Sequence, residues 1–336
     1  MKIENFVRII DGKLSTTPPI DAFGSICFEP SRVLHGDLFI DTTASRKMIH
    51  QALEKGAYAV VSILPFMNED EECAWIEVST IEQTLIKLLR YTITQKSLNL
   101  LLLSPVQESL LEMIQTTPKA VKRLKGDLVH ITKTILLAKE EESFFLSNAL
   151  LVDKIAPVAQ RLETHLHVKP TLVSKGLFLS SFTYKERFYT EQKIPSIFVE
   201  AFLCLLDFCD ENAIAYTLEH LNFCEHFYPQ YISQNFSKKE FGTSEKVLIF
   251  EPTFELLPSL LNAIQKAHHN PSVALCLPES LHYNFPFEGD RLWYKEPSLL
   301  LNELKTRRFT YALIIGEREL FDSLLFKNTT TQLSLF

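Results

Sequence analysis

Only nine of the 336 residues are glycine, and no two of them stand fewer than twelve positions apart. That spacing forbids G-x-G-x-x-G, G-x-x-x-x-G-K-S/T and G-x-S-x-G outright, since each needs two glycines within a few residues. The chain is confined to sites in which the backbone need not crowd a phosphate through a glycine-rich turn. A nucleophilic serine on the usual strained elbow is excluded in the same way. A 46% hydrophobic share suffices for sizeable globular cores. The net charge of −7 argues against a broad electrostatic footprint on nucleic acid or anionic lipid. Cys27, Cys73, Cys204, Cys209, Cys224 and Cys276 form no C-x-x-C pair, so free thiols in a reducing cytoplasm are expected. Met1 to Asp11 has no signal-peptide pattern, and the longest apolar stretch, Ala57 to Met67, is interrupted by Ser62 and Pro65 and is too short to span a bilayer.

Short apolar runs alternate with helical periods along the whole chain, which predicts an α/β fold. The first hundred residues give strands at Leu38–Ile40, Tyr58–Ile63 and Ala74–Val78, with helices over Ser45–Lys55 and Thr80–Tyr91. Gly56 takes the place of a helix C-cap glycine. Leu100–Leu103 reads as a strand buried on both faces, and Ser104-Pro105-Val106-Gln107 as a capping box that starts a helix at once. Helical spacing recurs over Ile197–Cys209 and again over Ala213–Leu221, predicting two packed helices. The polar stretch Ser237–Glu245 reads as a domain linker. Beyond it come a strand at Lys246–Phe250, a helix through Leu260–His268, a strand at Val273–Leu277, a helix at Pro297–Lys305 and a strand at Tyr311–Ile315.

The segment Ser31-Arg32-Val33-Leu34-His35-Gly36-Asp37-Leu38-Phe39-Ile40, followed by Ala52 and by Gly56-Ala57-Tyr58-Ala59-Val60-Val61, resembles the N-terminal domain of the Mur ligases, most of all the D-alanyl-D-alanine-adding branch. In that family a Ser-Arg ahead of Gly-Asp-Leu-Phe lies in the domain that binds the UDP-sugar part of the peptidoglycan precursor. The resemblance thus implies Ser31 and Arg32 as binding residues for a UDP-muramoyl-type ligand. Arg32 would meet phosphate or a ring carbonyl with its planar fork; a structural ion pair is the alternative. The family's Asp-Gly-His before the next helix is replaced here by residues such as Ser45, Arg46 and Lys47. Where the family carries its ATP-binding loop, Ser104 to Ser109 supplies neither glycine nor lysine, and Pro105 removes a donor. The next lysine, Lys119, follows Pro118, so no nucleotide cofactor is expected. Glu251-Pro252-Thr253-Phe254-Glu255-Leu256-Leu257-Pro258-Ser259 stands where the D-alanyl-D-alanine-adding enzyme has Asp-Asp-Ser/Thr-Tyr-Asn-Ala-Asn-Pro, with only Thr253 and Pro258 unchanged.

The resemblance implies three consecutive α/β domains with a shortened central one. Residues 1–96 would be the UDP-sugar-type domain, 97–243 a central domain without the phosphate loop, 244–328 a Rossmann-like domain, and 329–336 a flexible tail. Cys209, His220, Cys224 and His226 are metal-ligating types, but they lack a matched pair at ligand spacing, so no metal is expected. Lys119, Lys122, Arg123 and Lys125 are expected on a solvated, basic helix face. The last five residues, Gln332-Leu333-Ser334-Leu335-Phe336, resemble the pentapeptide by which bacterial replication and repair proteins dock on the polymerase sliding clamp, with Gln332, Leu333, Leu335 and Phe336 as its contacts. The expected function is a binding or regulatory role related to peptidoglycan precursor synthesis, without catalysis. The alternatives are an active ATP-dependent acid–amino acid ligase with a rebuilt nucleotide site, and an interaction protein recruited to the clamp.

Overall fold

Leu38–Ile40 and Ala59–Ser62 are buried at every position, the pattern of strands covered on both faces by helices. The computed structural model describes residues 1–67, 72–116, 118–162, 166, 170–219, 221–267, 271–281 and 286–325. They divide into two compact units, Met1–Leu102 with Val121–Arg161, and Leu103–Ala120 with Leu162–Phe336.

The first unit begins with α1 (Ile3–Ile10), β1 (Lys13–Leu14), β2 (Ile26–Cys27), β3 (Leu38–Ile40), α2 (Arg46–Glu54), β4 (Ala59–Ser62), β5 (Ala74–Glu77) and α3 (Ile81–Gln95). The strands form a sheet in the order β1-β5-β4-β3-β2, parallel except for β1. Ser45 and Thr80 cap α2 and α3, each accepting from the backbone N–H three residues on. The predicted helix at Thr80–Tyr91 continues to Gln95, because Thr92 and Ile93 also find buried partners. Gly56 follows the cap of α2 at a φ of +89°, and a Cβ there would lie 2.6 Å from His35 Nδ1, so both conformation and space require glycine.

A second sheet completes this unit. It is built from β6 (Asn99–Leu102), then, after α4 (Pro105–Ile114) of the other unit, from β7 (Val121–Arg123), α5 (Leu128–Leu137), β8 (Ser143–Leu146), α6 (Ala149–Ile155) and β9 (Gln160–Arg161). All four strands are parallel, in the order β7-β8-β6-β9. Leu100, Leu102, Phe144 and Leu146 share a core with Leu89, Ile131 and Ile135. Lys96 Nζ closes the end of α5 by donating to the carbonyls of Leu136 and Ala138 at 2.7 and 2.6 Å. The basic helix expected over Lys119–Lys125 is not formed: Val121–Arg123 is a strand, and strand pairing sends alternate side chains to opposite faces. Lys122 pairs with Glu142 at 2.7 Å, and Lys119 pairs with Glu112.

The second unit adds to α4 an antiparallel sheet of β10 (Thr171–Lys175), β11 (Ser180–Tyr184) and β12 (Arg187–Gln192), followed by α7 (Val199–Glu211). The second helix predicted at Ala213–Leu221 does not form among the described residues of that segment. Its apolar spacing is overridden because Tyr216 bridges to Gln115 beyond α4, while Thr217 N–H and Thr116 N–H exchange bonds with the Ile114 and Ala215 carbonyls. These bonds hold Ala215, Tyr216 and Thr217 against the residues that follow α4. The chain continues through β13 (Tyr228–Ile232), β14 (Lys246–Glu251), α8 (Leu257–Ala267), β15 (Val273–Pro278), β16 (Asp290–Tyr294), α9 (Pro297–Lys305), β17 (Tyr311–Ile315) and α10 (Glu319–Asp322). The sheet runs β13-β14-β17-β15-β16, parallel except at β13. Ser237–Glu245, read as a linker, therefore connects two paired strands of one sheet. No helix among the described residues is long and apolar enough to cross a membrane. His268 and the whole segment 326–336, which includes Gln332, Leu333, Leu335 and Phe336, lie outside the described residues.

Candidate functional site

α4 starts with the predicted capping box. Ser104 Oγ accepts from Gln107 N–H at 3.3 Å, and Gln107 Oε1 accepts from Ser104 N–H at 3.0 Å. Pro105, at the first helical position, has no N–H to offer. An anion attracted to this terminus would compete with these contacts, and the first turn also carries a buried carboxylic residue, Glu108. Ser109, buried as well, accepts the N–H of Glu225 at 3.0 Å. The start of α4 is thus tied to the segment Cys224–Phe227.

That segment leads to a buried imidazole and carboxylate. β14 ends at Glu251, which is 0% exposed, and His226, 4% exposed, brings Nδ1 to 2.7 Å from Glu251 Oε1. Thr253 donates to the same oxygen through its N–H at 2.9 Å and its hydroxyl at 2.7 Å, while Phe227 N–H reaches Oε2 at 3.1 Å. With the carboxylate accepting on every side, Nδ1 is the ring nitrogen that donates to it. The backbone of Phe227 is held at a φ of 51°, rare for a bulky residue. Beside it, Gly316 N–H donates to the Glu251 carbonyl at 2.8 Å. A Cβ on Gly316 would lie 2.5 Å from Tyr294 Oη, so only glycine fits this turn after β17.

Of Cys209, His220, Cys224 and His226, at which no metal is expected, three are among the described residues. Cys224 donates its thiol to the His226 carbonyl at 3.3 Å, and burial pushes its pKa up to about 12. Cys209 is pushed up to about 12 by burial in the same way, and His220 lies outside the described residues. Among the described residues no group of three or more His, Cys, Asp or Glu is placed to hold a metal.

Ser31 and Arg32 stand on an exposed 3-10 turn, Pro30–Arg32. Arg32 Nε pairs with Glu29 Oε2 at 2.8 Å, and Lys133 Nζ with Glu29 Oε1 at 2.7 Å. The Lys133 hydrogen bond and charge, with a smaller contribution from Arg32, hold the Glu29 carboxyl below its usual range. Near the start of α2, buried Asp41 accepts from Thr43 N–H, Ser45 N–H and Ser62 Oγ–H, which fixes the loop that presents Ser45 as a cap. Arg46 donates to the Pro65 carbonyl at 2.6 Å and lies over the Trp75 ring at 5.8 Å. Sequence reasoning had singled out His226 only as a metal type and Glu251 only as a motif position. The overlooked signal was an acidic residue closing the apolar run Lys246 to Glu251.

No protein-family description matches the sequence, and no curated protein does. Solved structures do match. The MurF ligase of Thermotoga maritima in complex with ADP is 12% identical, with 88% of this chain and 94% of that one covered, at a TM-score of 0.59. A MurF structure from Acinetobacter baumannii is 10% identical, with 96% and 97% covered, at a TM-score of 0.58. The UDP-N-acetylmuramoylalanyl-D-glutamyl-2,6-diaminopimelate–D-alanyl-D-alanyl ligase of Acinetobacter baumannii gives 11% identity, the same coverage and a TM-score of 0.55. At such identities the likeness is one of architecture: this chain has the fold of the Mur ligases.

Proposed function

We propose that this chain is a Mur-ligase-fold protein that binds a peptidoglycan-precursor-type ligand without ATP-dependent ligation. The observation that carries the reading is the start of α4. There Ser104 and Gln107 satisfy each other's N–H groups, Pro105 removes a third, and buried Glu108 adds an acidic group. A helix terminus arranged in this way is a poor phosphate cradle. The Thermotoga maritima relative was captured with ADP, so the architecture itself accommodates a nucleotide. The difference in this chain lies in its own residues. Calorimetry with ATP tests the reading: no heat of binding is expected, whereas submillimolar affinity that is lost on changing residues around Ser104 refutes it.

The ligand in this reading is of UDP-muramoyl type, held at Ser31 and Arg32 in a domain comprising residues 1–96. Support comes from the exposure of both residues and from the substrate named for the Acinetobacter baumannii relative. Backbone resonances around Ser31 and Arg32 should move on adding millimolar UDP-muramoyl peptide; unmoved resonances refute this part. The pentapeptide Gln332 to Phe336 favours a second reading, recruitment to a sliding clamp.

A further inference from the structure

Among the described residues, Glu29 is the one carboxylate paired with Arg32 and also the one paired with Lys133. Its Oε2 meets Arg32 Nε at 2.8 Å, and its Oε1 meets Lys133 Nζ at 2.7 Å. Two cations against one carboxylate leave a local positive excess, in a chain whose net charge is −7. The backbone that carries Glu29 is fixed, because its carbonyl accepts the Cys27 thiol at 3.1 Å and the Arg32 N–H at 3.0 Å. Lys133 comes from α5, with Nζ 5.7 Å from the centre of the buried Phe28 ring. The Glu29 side chain is 41% exposed, so its carboxylate is able to leave while the turn stays in place. This place lies just past β2, at the carboxyl end of the parallel strands, the edge at which open α/β sheets bind ligands.

We propose that Arg32 and Lys133 form a diphosphate subsite, and that the Glu29 carboxylate is its internal stand-in, released when the diphosphate of the ligand binds. This rests on the UDP-muramoyl reading of Ser31 and Arg32, and adds to it a lysine from outside residues 1–96 and a competing carboxylate. A diphosphate diester carries a negative charge on each phosphoryl group, one for each cation, where Glu29 offers one for both. The planar fork of Arg32 suits one phosphoryl group, and the compact ammonium of Lys133 suits the other as a point charge. The exchange costs little, because ion pairs as exposed as these hold weakly. Ser31, exposed on the same turn, supplies a hydroxyl as a further donor.

The test titrates the full chain with sodium pyrophosphate and follows the side-chain 15N resonances of Arg32 and Lys133. Both should shift along one binding curve, and the Glu29 carboxyl 13C resonance should move towards its position in Lys133→Met. Glu29→Gln should bind pyrophosphate about fivefold more tightly, the factor that an exposed ion pair supplies near the top of its range. Lys133→Met and Arg32→Met should each bind it about fivefold more weakly. Glu82→Gln removes a carboxylate paired elsewhere, with Lys154, and should leave the affinity unchanged, which separates a local exchange from an effect of overall charge. Equal or weaker binding by Glu29→Gln overturns the stand-in role, and unchanged affinity in Lys133→Met overturns the two-cation subsite. Wild-type resonances that stay still at millimolar pyrophosphate overturn the proposal even where a UDP-muramoyl peptide moves Ser31, since that ligand is then held without its diphosphate at this place. Conversely, a UDP-muramoyl peptide that leaves Ser31 and Arg32 unmoved, while pyrophosphate behaves as expected, refutes the UDP-muramoyl reading and upholds the anion subsite.

Discussion

Replacing Glu251 by glutamine keeps the shape of the side chain and removes its charge, in a place where four hydrogen bonds converge. In the better amide orientation the oxygen faces His226 and Thr253, and the new NH2 faces Phe227 N–H, where a 3.1 Å bond had been. That buried N–H, left without an acceptor, costs about 1–3 kcal/mol. The three remaining bonds fall from charge-assisted to neutral strength, a loss of about 1 kcal/mol each. Burying an amide instead of a carboxylate offsets part of this, because the desolvation penalty of the charge disappears. The net expectation is a loss of about 3 kcal/mol. Thr253→Val, which removes one hydroxyl donor and leaves the carboxylate with the others, should lose only about 1 kcal/mol. Hydrogen exchange of the amides from Lys246 to Glu251 reads both values locally, without requiring the two units to unfold together. Protection in Glu251→Gln within about 1 kcal/mol of wild type refutes the reasoning, since the carboxylate would then be replaceable by any polar group.

Lys96→Met strips the charged cap from the last carbonyls of α5 and should lower stability of the first unit by about 1–2 kcal/mol, measured by urea denaturation. Glu29 has a lower carboxyl pKa in the folded chain than in the unfolded one. The stabilisation it shares with Lys133 is therefore full above the unfolded pKa and fades as pH falls through the folded one. Lys133→Met should raise the Glu29 pKa in an NMR titration and flatten the acid limb of the stability profile. Leu335→Ala with Phe336→Ala should abolish retention of a bacterial sliding clamp in a pull-down and leave the melting temperature unchanged. Two large apolar side chains supply about 3–6 kcal/mol before ordering costs, enough for a weak tail contact. A double variant that unfolds, or an intact protein that never retains the clamp, refutes that reading.

The local signals were legible in the sequence. Proline at the first helical position and an uninterrupted apolar run delimit α9 (Pro297–Lys305) and β17 (Tyr311–Ile315) at their predicted bounds, and the Ser104–Gln107 capping box forms as written. Each of these depends on residues within a few positions of one another, so neighbouring side chains and backbone torsions decide it. The absence of close glycine pairs acts at the same level and limits the sites available to the chain. Tertiary pairing decided the rest. Ala213–Leu221 has helical periodicity, but its Ala215, Tyr216 and Thr217 are paired with the residues following α4, about a hundred positions earlier in the chain, whose backbone bonds outweigh a weak propensity. Val121–Arg123 is likewise a strand because β8 offers it a parallel edge. The pairing of His226 with Glu251 spans 25 positions and depends on β13 and β14 lying side by side, with Cys224–Phe227 anchored at Ser109. A charged residue at the end of a strand and a lone histidine carry no periodicity to connect them; only the register of the folded sheet brings them within hydrogen-bond distance.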